Sequence, residues 1–445
     1  MSAGRAAGEM GEYDVVVVGA GVAGLGAART LMAAGQRTIV LEASGRIGGR
    51  AWTAYPAALG GEWFDMGAQW LHAAETNPLT AIAQAGGEKL LRADAVRTRR
   101  TFVGTRPANA AELADYDAAW DRFAVEADEL LRSVRVDAPL AEVARGLADD
   151  PWASTVEAWE GPVIDAADAD QMSLRDWRAN RLMGSNLAPA GGIGAFVARR
   201  LGEGLEIRLS TPVRRVQWQS GAKGHPVLVV TDAGTLGAAH CIVTASTGVL
   251  AERTIAFEPG LPAEVEAAID ALPMGLAMKV VLRARGEDRL DLPAHCSLDR
   301  QVQRSGEPLM VFQCWPYGRS YVQGWIGGRA GWELAREGDG AASAFARAAL
   351  RDMFGARVDR LFDPVPALVT HWEAEPWVRG AYCYARPGEA GARVALARPL
   401  AGGRLAFAGE ACHQGLAGTL GGAWLAGIAA AQSIVGERAI VGEQG

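Results

Sequence analysis

Glycines at 19, 21 and 24 directly follow the β-branched run at 15–18, a spacing that brings backbone N–H groups against a phosphate. Gly19 permits a tight turn, Gly21 lets the chain approach a pyrophosphate, and Gly24 lets the next helix pack close to the strand. That helix is expected over 25–34, with Ala28 and Leu31 inward and Gly35 as its stop. Its N-terminus directs partial positive charge at the phosphates. A second strand at 38–41 ends on Glu42, placed to accept hydrogen bonds from a ribose diol. The glycine spacing alone is weak. Strand, glycine turn, helix, strand and acid in this order indicate a dinucleotide-binding unit. Arg46, Gly48, Gly49 and Arg50 add a second glycine turn carrying two cations, which a nicotinamide dehydrogenase does not need. Glu42 repels a 2′-phosphate, so NADP is disfavoured.

Other positions carry different chemistry. Lys279 lies inside the apolar stretch 273–281, and an ammonium buried there is costly unless paired or neutralised. The alternative is a strand end with Lys279 in solvent. Gly67, Ala68, Gln69 and Trp70 set small residues beside an aromatic, which suits a flat ring lying against backbone; core packing is the plain alternative for Trp70. His72 follows in a Trp-Leu-His triplet. Trp372 and Tyr382 belong to an aromatic stretch at 371–382, where a half-buried sheet tyrosine is the ordinary reading of Tyr382. Near the other end, Gly409 and Glu410 close a strand, and Gly418, Thr419 and Leu420 open a helix over 421–431.

Taken together, these motifs resemble the flavin-containing amine oxidase superfamily over nearly the full chain, with specific ends and a less specific middle. The resemblance implies FAD, held at Gly19, Gly21, Gly24, Glu42, Arg46, Gly49, Arg50 and Glu410. It implies that residues 67–70 and Trp372 run beside the isoalloxazine, and that a backbone group at Val213 meets the adenine. Lys279 is implied to hydrogen-bond a water next to flavin N5, and Tyr382 to form one wall of an aromatic cage. A π-face suits amines because it attracts a cation. At the second wall, where monoamine oxidases use tyrosine, the register gives Thr419, as in mammalian-type polyamine oxidases and histone lysine demethylases. The Trp-Leu-His triplet resembles polyamine oxidases and implies His72 at the cavity wall. The cysteine that binds flavin covalently in mitochondrial monoamine oxidases aligns with Ala381, so a non-covalent FAD is expected despite Cys383 nearby. The helix beginning at 418–420 would stabilise negative charge on reduced flavin.

The implied reaction transfers a hydride from an amine's α-carbon to flavin N5, with imine hydrolysis and reduction of O2 to H2O2. A polyamine-like substrate is favoured. An L-amino acid oxidase is one rival and needs an arginine for the carboxylate, Arg379 or Arg329. A flavin desaturase or porphyrinogen oxidase is a second. A non-catalytic flavoprotein scaffold is a third, from another class.

Positioning these residues requires an α/β fold, with a discontinuous Rossmann-like FAD-binding domain (10–85, 189–260, 401–438) interleaved with an α+β substrate domain (86–188, 261–400). Residues 109–185 break the α/β rhythm as a helical insertion that shapes the cavity. The stretch 205–218 alternates as one strand, 227–231 and 241–244 are further strands, and 307–330 belongs to an antiparallel sheet.

The length of 445 residues leaves room for a large core, and 49% hydrophobic with 21% charged residues suits a soluble enzyme. A net charge of −7 without a basic stripe disfavours nucleic acid. No run of apolar residues is long enough to span a membrane, and residues 1–13 lack the apolar core of a signal peptide. Five scattered cysteines without a CxxC point to neither a disulfide framework nor a metal site. The expected setting is the cytoplasm, with a small-molecule amine and O2 as partners and a homodimer kept open.

Overall fold

The computed structural model describes residues 12–92, 97–222 and 224–436. The readings of residues 1–11 and the outer limits at 10 and 438 lie outside the described residues. Glu12–Val18 forms the first strand, and Val15, Val16 and Val17 are fully buried. Such a continuous apolar run suits a strand covered on both faces. It pairs in parallel with Thr38–Leu41 on one side and Gly234–Val243 on the other. The eight-stranded sheet around it also takes in Ile207–Arg208, Val213–Gln217, Val227–Thr231, Ala256–Glu258 and Leu405–Phe407.

Two helices from opposite ends of the sequence cover one face. The entry helix, Val22–Ala33, packs on the closing helix, Leu420–Val435. Glycines make the approach close: a Cβ at Gly427 would stand 2.0 Å from the Ala23 carbonyl oxygen, and one at Gly26 would stand 2.9 Å from that of Trp424.

A second, seven-stranded sheet orders Leu368–Val369, Ala277–Arg283, Tyr321–Gly327, Val311–Cys314, Cys296–Arg300, Thr98–Val103 and Arg106–Pro107. Its core is capped by Asp339–Phe354 through Ala342, Ala346 and Leu350. The insertion opens with Ala110–Ser133, started by a reciprocal Asn109–Glu112 capping box. It packs around Tyr116, which stacks on Trp152 at 4.5 Å. Ala153–Ala158 then widens into a π-helical turn, Trp159–Asp165, that contains Pro162. A proline has no N–H and displaces the preceding carbonyl, and such turns recur at functional sites.

Two expectations need correction. The entry helix begins at Val22 rather than at 25, because Gly21 itself serves as the N-cap. The single strand expected over 205–218 is two, Ile207–Arg208 beside Thr38–Leu41 and Val213–Gln217 beside Val227–Thr231. Ser210 adopts a left-handed φ of 50°, and Pro212 offers no N–H to a ladder. The chain between them crosses the end of the sheet, with Ser210 N–H donating to the Ser44 carbonyl and Thr211 N–H to that of Glu42.

Candidate functional site

The two glycine turns are knitted into one cradle. Gly19 turns at φ 101°, and Gly24 must lack a side chain because a Cβ there would stand 1.9 Å from the Gly19 oxygen. Gly24 lies outside the cavity lining and acts through helix–strand packing. Gly48 N–H donates to the Ala20 carbonyl at 2.8 Å, pinning the second turn on the first. Glu42 is buried and accepts from Ala20 N–H at 2.7 Å and from both the N–H and hydroxyl of Ser44 at 2.8 Å. Arg46 donates to the Gly49 carbonyl at 2.7 Å and lies over the Trp52 ring.

The far end of the sequence closes the cradle through one ion pair. Arg50 Nη1 donates to Glu410 Oε1 at 2.8 Å and to the Ala381 carbonyl at 2.6 Å. Glu410 also accepts from Cys383 N–H and Gly418 N–H at 3.2 Å and from Cys383 Sγ at 3.3 Å. Burial pushes its pKa up, but the charges of Arg50 and Arg393 with these hydrogen bonds more than offset that and hold it low. Its two oxygens meet protein donors, so it ties the cradle's parts together.

From this cradle a cavity of about 690 Å³ runs to the second sheet. Gly19, Gly21, Glu42, Arg46, Gly49, Arg50, Val213, Gly409, Glu410, Gly418, Thr419 and Leu420 line it. Gly67, Ala68, Gln69, Trp70, His72, Lys279, Trp372 and Tyr382 line it as well. Gly67 is squeezed between the Arg50 oxygen and the Trp372 ring, 2.0 Å and 2.9 Å from a notional Cβ. Trp372 Nε1 donates to the Met66 carbonyl at 3.1 Å.

Lys279 is 1% exposed, which excludes the solvent-facing alternative. Its ammonium donates to the carbonyls of Asp65 at 2.5 Å and Gly67 at 2.8 Å and to Gln69 Oε1 at 3.3 Å. Those three acceptors match its three donors. Burial lowers its pKa to about 8, with Asp65 pulling the other way. Gln69 continues into an amide cluster, donating to Gln313 at 3.0 Å and accepting from Gln323 at 3.3 Å. Thr419 is the N-cap of the closing helix: its hydroxyl donates to the Leu416 carbonyl at 2.7 Å and accepts from Gly422 N–H at 3.0 Å. That hydroxyl is committed to the helix start. His72 Nδ1 meets Asn186 Oδ1 at 2.6 Å.

The wall opposite comes from the insertion and has no sequence motif. Trp120, Trp159 and Trp177 line it with Glu160 and Asp165. Glu160 accepts from Trp177 Nε1 at 3.1 Å and faces Arg181 at 3.9 Å. Asp165 has no hydrogen-bond or ion-pair partner among the described residues. Burial first, then the charges of Glu160 and Asp176, push its pKa well up. Tyr382 donates from its hydroxyl to the Ile164 carbonyl at 2.6 Å, and burial with Asp165 and Glu410 keeps it protonated. Both acids escape a motif search; a proline inside a helical pattern between two acids was the available signal.

Neither arginine suggested for a substrate carboxylate faces the cavity. Arg379 pairs with Glu252 at 2.9 Å and Arg329 with Asp170 at 2.6 Å. Among the described residues no cluster of His, Cys, Asp or Glu suits a metal, and no helix is long and apolar enough to cross a membrane.

A family model described as flavin containing amine oxidoreductase matches residues 22–435. The chain is 28% identical to rice (Oryza sativa subsp. japonica) polyamine oxidase 4, over 94% of this chain and 88% of that protein. It is also 28% identical to the rice lysine-specific histone demethylase 1 homolog 1, covering 95% of this chain but 52% of that relative, about half its length. The structure of wild-type putrescine oxidase bound to putrescine superposes with a TM-score of 0.74 at 20% identity, over 95% of this chain and 99% of that one.

Proposed function

The chain belongs to the flavin-containing amine oxidoreductase family, and from that premise we propose that it oxidises small diamines or polyamines with O2 as acceptor, releasing H2O2. It is an FAD-dependent oxidoreductase, and the cradle fits that cofactor. A Cβ at Gly21 would meet no protein atom within 4 Å, so the backbone lies open to a ligand there, at the N-cap of a helix. Gly19, Gly21, Glu42, Arg46 and Gly49 would hold its ribose and pyrophosphate, with Val213 at the adenine. Gly67 to Trp70, Trp372 and the start of the closing helix would flank the ring. A bound FAD would supply the two-electron acceptor for the hydride equivalent of the α-carbon and the route of those electrons to O2.

The protein's own share is positioning and charge. Lys279 ties the carbonyls of Asp65 and Gly67 to the second sheet and so fixes the segment carrying Gln69 and Trp70 beside the ring site. Tyr382, its hydroxyl anchored on Ile164, offers its ring to the cavity, and the tryptophans exclude water. A non-covalent FAD is supported by Ala381 at the attachment position and by the Cys383 thiol, buried and engaged with Glu410.

One observation carries the substrate reading: an aromatic cavity wall holding two carboxylates, one without a protein partner. Carboxylates and ring faces together suit a cation. The relatives named as polyamine oxidases support the same class. The test is a panel of diamines, polyamines, monoamines and α-amino acids, scored by anaerobic bleaching of the flavin and by peroxide release. Diamines or polyamines should lead in kcat/KM by about tenfold or more, as one charge-assisted contact is worth roughly 1.5–3 kcal/mol. Activity confined to α-amino acids would reject the substrate class. Acid precipitation of the protein should leave the flavin in the supernatant.

A further inference from the structure

The π-helical turn is held rigidly around one free side chain. The Val163 carbonyl accepts from Trp325 Nε1 at 2.9 Å, and that of Ile164 from the Tyr382 hydroxyl at 2.6 Å. The Ala166 carbonyl accepts from Leu276 N–H at 3.0 Å and Gly328 N–H at 3.2 Å. Gly275 and Gly327 press against this turn so closely that a Cβ would stand 2.5 Å from the Ala166 oxygen and 2.0 Å from that of Pro162. The carbonyls on both sides of Asp165 are thus tied down by neighbouring elements. Its carboxylate lines the cavity with no protein donor, one residue along the chain from the carbonyl that anchors Tyr382.

Resting on the amine-oxidase reading, we propose that Asp165 is the proton acceptor for the reacting amine. The N–H bond of the incoming ammonium breaks, its electron pair stays on nitrogen, and the proton forms an O–H bond on the Asp165 carboxylate. The neutral amine that remains has the lone pair needed to support loss of hydride from its α-carbon. Glu160 is already held by Trp177 and Arg181, which leaves it suited to a distant charge.

An enclosed site favours this transfer because burial disfavours both charged forms: the carboxyl pKa rises and the amine pKa falls until the neutral pair competes with the ion pair. The groups acting on Asp165 agree. Glu160 on its own turn and Asp176 on Leu174–Asn180 raise its pKa. Arg393 lowers it, but is itself engaged by Asp176 through two 2.7 Å contacts. Tyr382 stays a neutral phenol.

The test compares the holoenzyme with Asp165→Asn, using putrescine as probe across pH. Anaerobic stopped-flow gives the rate of flavin reduction divided by the dissociation constant. In the unmodified enzyme this ratio should stay flat over a window below the amine's own pKa. In Asp165→Asn it should climb about tenfold per pH unit up to that pKa, and so lie about a hundredfold behind at two units below it. Calorimetric titration of putrescine into the anaerobically photoreduced proteins, which do not turn over, should show the same contrast in affinity. Coincident pH courses in the two proteins overturn the proposal. If Asp165→Asn does not retain flavin, the unmodified enzyme decides alone, because a steady climb without a flat window is incompatible with an internal acceptor. Failure of every amine both to bleach the flavin and to bind the reduced protein would instead remove the amine-oxidase reading.

Discussion

Glu410 and Asp165 are two enclosed carboxylates on the same cavity with opposite fates. Glu410, in the cradle, is surrounded by Arg50, Arg393, Cys383 and Gly418, and its pKa is held low although burial works the other way. Asp165, in the insertion, is driven upward by burial first and then by Glu160 and Asp176, with Arg393 opposing them. The cradle's acid finishes its bonding within the protein. The wall's acid is left for a ligand to complete. On the proposed reading, the region for the resident cofactor satisfies its own acid, whereas the region for the amine leaves one carboxyl group unpartnered and ready to take a proton.

The strongest way to break this contrast is to remove Arg393, whose charge acts on both Glu410 and Asp165 and which pairs with Asp176 of the insertion. Arg393 is 2% exposed and holds Asp176 in two hydrogen bonds, so Arg393→Met leaves a buried carboxylate without its cation and with Asn180 as its remaining side-chain donor. The loss should be about 3–5 kcal/mol in urea unfolding of the holoprotein. A loss below about 1 kcal/mol would show that the fold does not depend on the Arg393–Asp176 pair.

Lys279→Met probes the boundary between the two regions. Both half-reactions should be followed by stopped-flow, with the slower one falling by about one to three decades. Rates equal to the parent in both would make Lys279 purely structural. Stability carries a second signature. Folded Lys279 titrates at about 8 rather than 10.5, so between those values the unfolded chain binds a proton the folded one has shed. Stability of the parent relative to Lys279→Met should therefore rise with pH across that window and be flat below it. A difference curve without that rise would mean the amine is not buried in solution.

Glu160→Gln sharpens the contrast within the wall. Glu160 already has Trp177 and Arg181, so its loss should raise KM for putrescine by about tenfold with little change in kcat, and affect a monoamine less. An equal effect on both amines would place Glu160 at the reacting end.

The sequence made the fold and cradle legible because their chemistry is local. Gly19, Gly21, Glu42 and Arg50 serve through backbone conformation and order along the chain, and both leave a mark in spacing. The wall is different. Glu160 and Asp165 matter because Pro162 widens a helix and because Gly275 and Gly327 let other elements dock against it, contacts across more than a hundred residues. Spacing does not encode them. Lys279 falls between: an ammonium in an apolar strand announced burial, but its acceptors at Asp65, Gly67 and Gln69 came only from the three-dimensional arrangement. Thr419 lines the cavity as motif register expects, but that its hydroxyl also caps the closing helix shows only in three dimensions.

The glycine contacts between the entry and closing helices also govern how the chain is made. Gly26 and Trp424 touch across roughly 400 residues of sequence, and so high a separation slows folding because the intervening chain must be gathered first. The glycine turn is synthesised early, yet its helix lacks the closing helix it packs on and Arg50 lacks Glu410 until residues 405–435 have emerged. Synthesis from the N-terminus therefore leaves the first-made motif waiting for the last-made one. Retention of FAD becomes a check on completeness: a chain broken off before Glu410 has the nucleotide fingerprint but not the grip, and stays colourless.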